Sequence, residues 1–205
     1  PIVGVRNWDY RYTWIRDTTT MLTSLNSLVH DYYCRRFAHW IRTTTAGRAD
    51  EIQNMYGIGG ERILTETDLP HLTGYRHSGP VRIGNGAWDQ TQHDTYGWLL
   101  ASTWFNTAHG GEFGRHADPH YERFLTEIVE LAISEFDEVD EGIWEVRGGA
   151  RHFLFSKLLM WLAVDLGIRL IERHDGTEAV PAHWWPARDA MRLRIETEGV
   201  DAARG

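Results

Sequence analysis

Apolar residues recur at helical spacing along most of the chain. Residues 17–30 place Met21, Leu22, Leu25, Leu28 and Val29 on one stripe, opened by Asp17 and Thr18 as caps. Residues 31–46 repeat the pattern with Tyr33, Phe37, Trp40 and Ile41, and Gly47 is a natural stop. The clearest helix is 119–137, where Tyr121, Phe124, Leu125, Ile128, Val129, Ala132 and Phe136 follow i, i+3, i+4, i+7 spacing. Asp118 stands there as N-cap and Pro119 at the first helical position. Residues 89–107 (Tyr96, Leu99, Leu100, Trp104) and 153–173 (Leu158, Leu159, Trp161, Leu162, Leu166, Leu170) read as two more helices. Pro186 to Glu198 reads as a weaker last one, ended by Gly199. A long stretch rich in Gly, Pro and His runs from Gly57 to Ala87, and a loop of that length in a compact domain is expected to be functional. Within it Arg62-Ile63-Leu64 and Pro80-Val81-Arg82-Ile83 are strand-like and predict a hairpin at one end of the helical array. Helical pairs that feed loops to one end predict an all-α scaffold presenting a site.

Composition narrows the function. At 205 residues the chain is long enough for one substantial domain, or part of a larger one. A net charge of −8 argues against a nucleic-acid partner, because phosphate binding needs a basic surface. Ten tryptophans point to stacking of flat ligands, carbohydrates included, although several will be core. The lone Cys34 excludes an intrachain disulfide framework, fits a reducing cytoplasm and suits a small core position. No apolar run approaches the ~20 residues of a membrane span, and the start carries no signal-peptide pattern, so no membrane association and a cytoplasmic location are expected. The chain starts at Pro1 beside a motif, which suggests that something precedes it.

Chemistry concentrates in the loops. Gly142-Ile143-Trp144-Glu145-Val146-Arg147-Gly148-Gly149 sets a carboxylate between an indole and a guanidinium, inside glycines that bring the backbone close. Those are the ingredients of a sugar-cleaving site, and equally of a loop with a salt bridge. Upstream, Arg16 and Asp17 stand before a helix, where an Asp accepting and an Arg donating can grip vicinal hydroxyls. The alternative is an Asp N-cap with an Arg paired elsewhere. Gly57, Gly59 and Gly60 look phosphate-like, but no strand precedes them and no Lys-Ser/Thr follows, against a nucleotide loop. Gly84 to Asp94 opens a helix with Trp88, amides and carboxylates that suit a polar neutral ligand; Asp89 could equally cap, with Gln92 and His93 facing solvent. His116 and His120 have metal-pair spacing, yet Pro119 lies between them and no third ligand is evident, so no metal is expected. Ser78, Ser102 and Ser156 lack a nucleophile-elbow context, and Arg188, Arg192 and Arg194 read as a solvated face.

Five blocks in order then carry a resemblance: Trp14-Ile15-Arg16-Asp17, Tyr56-Gly57-Ile58-Gly59-Gly60-Glu61-Arg62, Leu69-Pro70-His71-Leu72-Thr73-Gly74-Tyr75-Arg76, Gly84-Asn85-Gly86-Ala87-Trp88-Asp89-Gln90 and Gly142 to Gly148. The chain resembles the catalytic domain of glycoside hydrolase family 15, the glucoamylases, and particularly their bacterial glucoamylase-like and trehalase members. Matching segments run from about Asn7 to Asp175. The resemblance implies a toroid barrel of helical hairpins, about half of it within residues 1–205, with the preceding β-sandwich and the later half of the barrel absent. It implies inverting hydrolysis of α-glucosidic bonds in maltooligosaccharides or trehalose, without a cofactor. By the same resemblance Glu145 is the general acid, and Arg16 and Asp17 bind hydroxyls of the terminal glucose. Trp88 and Trp144 line its pocket, and Arg147 holds Glu145 or its loop. His71, Tyr75, Arg76 and Gln92 fall in matching blocks without assigned roles, and His152 reads as structural.

The family's general base, a Glu in a later hairpin loop, has no counterpart here; Glu172, Glu178, Glu196 and Glu198 lack its motif. The expectation is therefore an acid half-site, inactive alone, with an exposed barrel edge open to oligomerisation. The alternatives are an inactive helical carbohydrate-binding or interaction module and a truncated sequence.

Overall fold

The apolar stripes become helices α1 (Ile15–Ser27), α2 (Asp31–Thr44), α3 (Asp94–Ala108), α4 (Pro119–Ser134), α5 (Leu154–Asp175) and α6 (Trp184–Glu198). The computed structural model describes residues 4–28, 31–44, 48–108, 119–144, 148–201 and 203. The side chain of Cys34, together with Val29, Gly47, His116 and Asp118, lies outside the described part. The fold is all-α. Consecutive helices pack as pairs, α1 with α2, α3 with α4 and α5 with α6, while α1, α3 and α5 also lie side by side. This is the two-layered arrangement expected of half a helical-hairpin barrel.

The core follows from this layering. Ile15, Leu22, Phe37 and Ile41 from the first pair join Leu99, Leu100, Phe124, Ile128, Met160 and Ile168, all buried. Gly97 allows the closest approach: a methyl there would overlap the Leu159 carbonyl of α5. Weak periodicity in the last helix is compensated by an anchor, since buried Trp184 donates its Nε1–H to Glu130 of α4 at 2.8 Å. That contact starts α6 two residues ahead of Pro186.

Several boundaries and faces differ from expectation, each for a reason outside local sequence. Helix α1 begins at Ile15, so Asp17 and Thr18 sit inside it rather than capping it. Strand β1 (Thr13–Trp14) pairs antiparallel with β2 (Met55–Tyr56), Thr13 opposite Tyr56, and the Ile15 N–H continues onto the Asn54 carbonyl at 3.0 Å. Helix α3 starts at Asp94 instead of near residue 89, because Ala87 and Gln90 are locked in tight turns. Gln92 and His93, expected in solvent, are buried. The hairpin in the long loop forms between β3 (Thr67–Asp68) and β4 (Arg82–Ile83), so residues 62–64 are not its first strand. Met21, Leu28, Tyr33 and Leu158 are exposed despite their stripes. Arg188 and Arg194 are not a free solvated face: Arg188 covers Trp185 and reaches Asp165 at 3.5 Å, and Arg194 covers Phe136. Among the described residues no helix is long and apolar enough to cross a membrane.

The α3–α5 contact gives a direct test of the layering. Gly97→Ala should destabilise the protein by about 1–3 kcal/mol through overpacking against α5, read from urea denaturation. A variant as stable as the wild type would contradict so close a helix contact.

Candidate functional site

The starts of α1, α3 and α5 meet one loop, and buried polar groups tie them together. Asp140, fully buried at the foot of that loop, accepts from the Ser156 hydroxyl in the first turn of α5 at 2.6 Å and from the His93 N–H before α3 at 3.1 Å. Asp140 and Arg151 close the loop with a reciprocal backbone pair at 3.0 and 2.8 Å. Just inside it, Gly142 takes φ +69° with a Cβ position only 2.7 Å from the Phe153 ring, so a side chain there would be strained twice over. The loop therefore leaves its stem in one direction and carries Ile143 and Trp144 back toward α1.

Arg16 receives it. Its Nη1 donates to the Ile143 carbonyl at 3.1 Å, and its Nη2 lies 3.1 Å from Asp17. Asp94, the first residue of α3, sits 4.0 Å from Nη1. The result is an open cleft of about 500 Å³ lined by Tyr10, Tyr12, Trp14, Arg16, Asp17, Thr18, Met21, Ile143 and Trp144. Its exposures are graded by function. The Arg16 side chain is 17% exposed and Asp17 68%, while Trp144 is 83% exposed, an unusual display for an indole. Tyr10 and Trp14 stand as a tilted aromatic pair 5.1 Å apart. A cleft with aromatic faces, a carboxylate and a guanidinium suits a neutral polyhydroxylated ring. Met21 owes its exposure to this cleft.

The N-terminal segment is shaped for the same purpose. Asp9 is chelated by Arg11 through Nε and Nη2, both at 2.7 Å, and also accepts from Tyr12 at 3.0 Å. Those bonds hold its carboxyl down at about 2. The Gly84 N–H reaches Asp9 at 3.2 Å and the Tyr12 hydroxyl at 2.9 Å, while Asn85 donates to the Asp9 carbonyl at 3.0 Å. The long loop thus buttresses the aromatic segment and does not line the cleft itself.

Asp94 is the residue that sequence reasoning missed as a member of the site. It is 1% exposed. Its Oδ2 accepts the Trp98 Nε1–H at 3.0 Å, and its Oδ1 has no partner. Burial pushes its carboxyl up to about 6, against the opposing pull of Arg16 and the Trp98 N–H. The block from Gly84 to Asp94 offered its carboxylates to a polar ligand, but nothing local singled out Asp94 among them. Next to it, burial lowers the His93 imidazole despite Asp140 and Glu135.

The structure brings Arg16, Asp17 and Trp144 into one cleft. Glu145 and Arg147 lie outside the described residues, although their neighbours Trp144 and Gly148 flank that position. Trp88 is not among the described residues that line this cleft. The Gln53 amide donates to the Trp88 carbonyl and the Asn54 amide to that of Ala87, each at 2.9 Å. Those bonds fix the backbone there, and Trp88 lines a separate polar cavity of about 240 Å³ beside His93 and Tyr96. The glycine turn at 57–60 closes around its own Glu61, whose carboxylate accepts the Gly59 N–H at 3.0 Å, which leaves no place for a phosphate. His71, Tyr75 and Arg76 are exposed and away from the cleft, as is His152. No group of three metal-ligating side chains occurs among the described residues.

Comparison with known proteins identifies the family. The model of glycosyl hydrolases family 15 matches residues 1–201. A trehalase of Mycobacterium tuberculosis is 42% identical over 202 residues, which is 97% of this chain and 29% of that protein. A trehalase of Mycolicibacterium smegmatis is 40% identical over 97% of the chain and 29% of its own length. One from Thermoplasma volcanium is 32% identical over 98% and 31%. The chain thus spans less than a third of the length of these relatives, and no solved structure matches it. It belongs to glycosyl hydrolase family 15.

Asp94 makes stability depend on pH with a definite sign. The folded carboxyl keeps its proton up to about 6, whereas the ordinary value is 3.8. Between those values the folded state binds more protons than the unfolded one. Its contribution to stability is complete below the lower value and is lost as pH rises through the upper, on the order of 2–3 kcal/mol. Denaturation curves of wild type and Asp94→Asn should diverge in the variant's favour from about pH 4 to about pH 7. A difference that stays constant across that range would contradict the raised carboxyl.

Proposed function

We propose that this family 15 chain forms the glucose-gripping, acid-bearing part of an inverting α-glucosidase site, and that trehalose is its substrate. The observation that carries the reading is the convergence of Arg16, Asp17 and Trp144 on one cleft, from segments more than a hundred residues apart, joined by the Arg16–Ile143 hydrogen bond. The names of the relatives support trehalose over maltooligosaccharides.

In this reading Asp17, exposed and ionised, accepts from sugar hydroxyls while Arg16 donates to them, and Trp144 covers the apolar face of the ring. Glu145, the next residue along the loop, protonates the glycosidic oxygen. A general acid works best with its carboxyl pKa raised toward the operating pH. Arg147 steadies the loop that bears it. Inversion needs a second carboxylate roughly 6.5–9.5 Å away to activate water. The resemblance assigns that base to a later helical-hairpin loop that is not among these 205 residues. Residues 1–205 are accordingly read as part of a catalytic domain, and turnover belongs to the protein that carries both carboxylates.

The anomers released first from α,α-trehalose decide the chemistry. Inversion gives one α- and one β-glucose per bond cleaved, whereas retention gives only the α-anomer, and proton NMR of the full-length protein separates them within minutes. Equal α and β are expected. Glu145→Gln should lower kcat by about 10²–10⁴-fold with little change in substrate affinity. Only α-glucose, or a variant with near wild-type kcat, would overturn the mechanism; faster cleavage of maltose than of trehalose would overturn the substrate.

A further inference from the structure

Arg16 has an ionic partner that the sugar-binding role does not require. Beneath it Asp94 is withdrawn from solvent, with one oxygen shared between the Trp98 N–H at 3.0 Å and Arg16 Nη1 at 4.0 Å. The same Nη1 that faces Asp94 donates to the Ile143 carbonyl. A line of contact therefore runs from the first residue of α3, through the first turn of α1, to the loop residue that precedes Trp144.

We infer that Asp94 is a positioning residue: it holds the Arg16 guanidinium in place against the Ile143 carbonyl, and so sets where Arg16 and Trp144 stand in the cleft. Asp17 cannot do this alone, because it is largely exposed and its pairing with Arg16 is screened by solvent. Asp94 acts from below, where water does not compete. Its raised carboxyl, due first to burial, fits a group retained at some cost to stability, a pattern that gathers at functional sites. The geometry stands by itself; its consequence for turnover rests on the α-glucosidase reading.

The test is a double-mutant cycle in the full-length protein with Asp94→Asn, Arg16→Ala and the pair combined, read by trehalose hydrolysis and by thermal unfolding near neutral pH. Asp94→Asn should lower kcat/KM by about tenfold or more without lowering Tm, and should add less than about twofold once Arg16 is gone. In the Arg16→Ala background it should raise Tm further than in wild type, because the carboxylate there has lost its counter-charge. An Asp94→Asn variant with near wild-type kcat/KM, or losses that multiply independently, would overturn the inference. Should the wild type cleave no α-glucoside, the proposed function fails on that result alone. The thermal cycle then decides the inference by itself: a larger shift without Arg16 supports it, and equal shifts in both backgrounds overturn it.

Discussion

The Arg16 guanidinium joins the parts of this molecule that the sequence keeps furthest apart. It is nearly enclosed, at 17% exposure, between a carbonyl of the loop after α4, an exposed carboxylate on its own helix and a buried one at the start of α3. Arginine is suited to such a position because its planar fork serves several acceptors at once and stays charged at any relevant pH. Among the described residues the other hydrogen bonds of the loop bearing Trp144 lie at its stem, at Asp140 with Arg151, Ser156 and His93 and at Glu141 with Thr91. With that fork, the cleft acquires a defined floor.

The helical layers explain why this junction can exist. Helices α1, α3 and α5 lie side by side and all begin at the end where the loop closes. Their N-termini gather free N–H groups and partial positive charge, which favours carboxylates there. Asp17, Asp94 and the Asp140–Ser156 contact all occupy that end. They differ in their access to water. Asp17 is open to solvent, whereas Asp140 and Asp94 are both buried, Asp140 anchored by Ser156 and His93 and Asp94 facing Arg16. One scaffold thus holds acidic side chains at different depths.

Much of the fold was legible in the chain because helical burial is periodic. The stripes of Phe124, Ile128 and Ala132, or of Leu99 and Leu100, needed no partner to be recognised. What escaped were features decided by distant backbone. The start of α1 is set by Asn54, the start of α3 by turns at Ala87 and Gln90, and the burial of His93 by Asp140. Arg16, Asp17 and Trp144 were readable from motif and chemistry together. Trp88 carried the same aromatic signal and lines a second cavity, beside His93 and Tyr96. Asp94 fell inside the helix predicted from residue 89, and its depth beneath Arg16 distinguishes it.

The cleft as a glucose site is tested most directly by a crystal structure of the full-length protein with glucose bound. The account predicts sugar hydroxyls within hydrogen-bond distance of Asp17 and Arg16, and an apolar ring face against Trp144. Glucose held in the polar cavity beside Trp88, with the Arg16–Asp17 cleft empty, would contradict it.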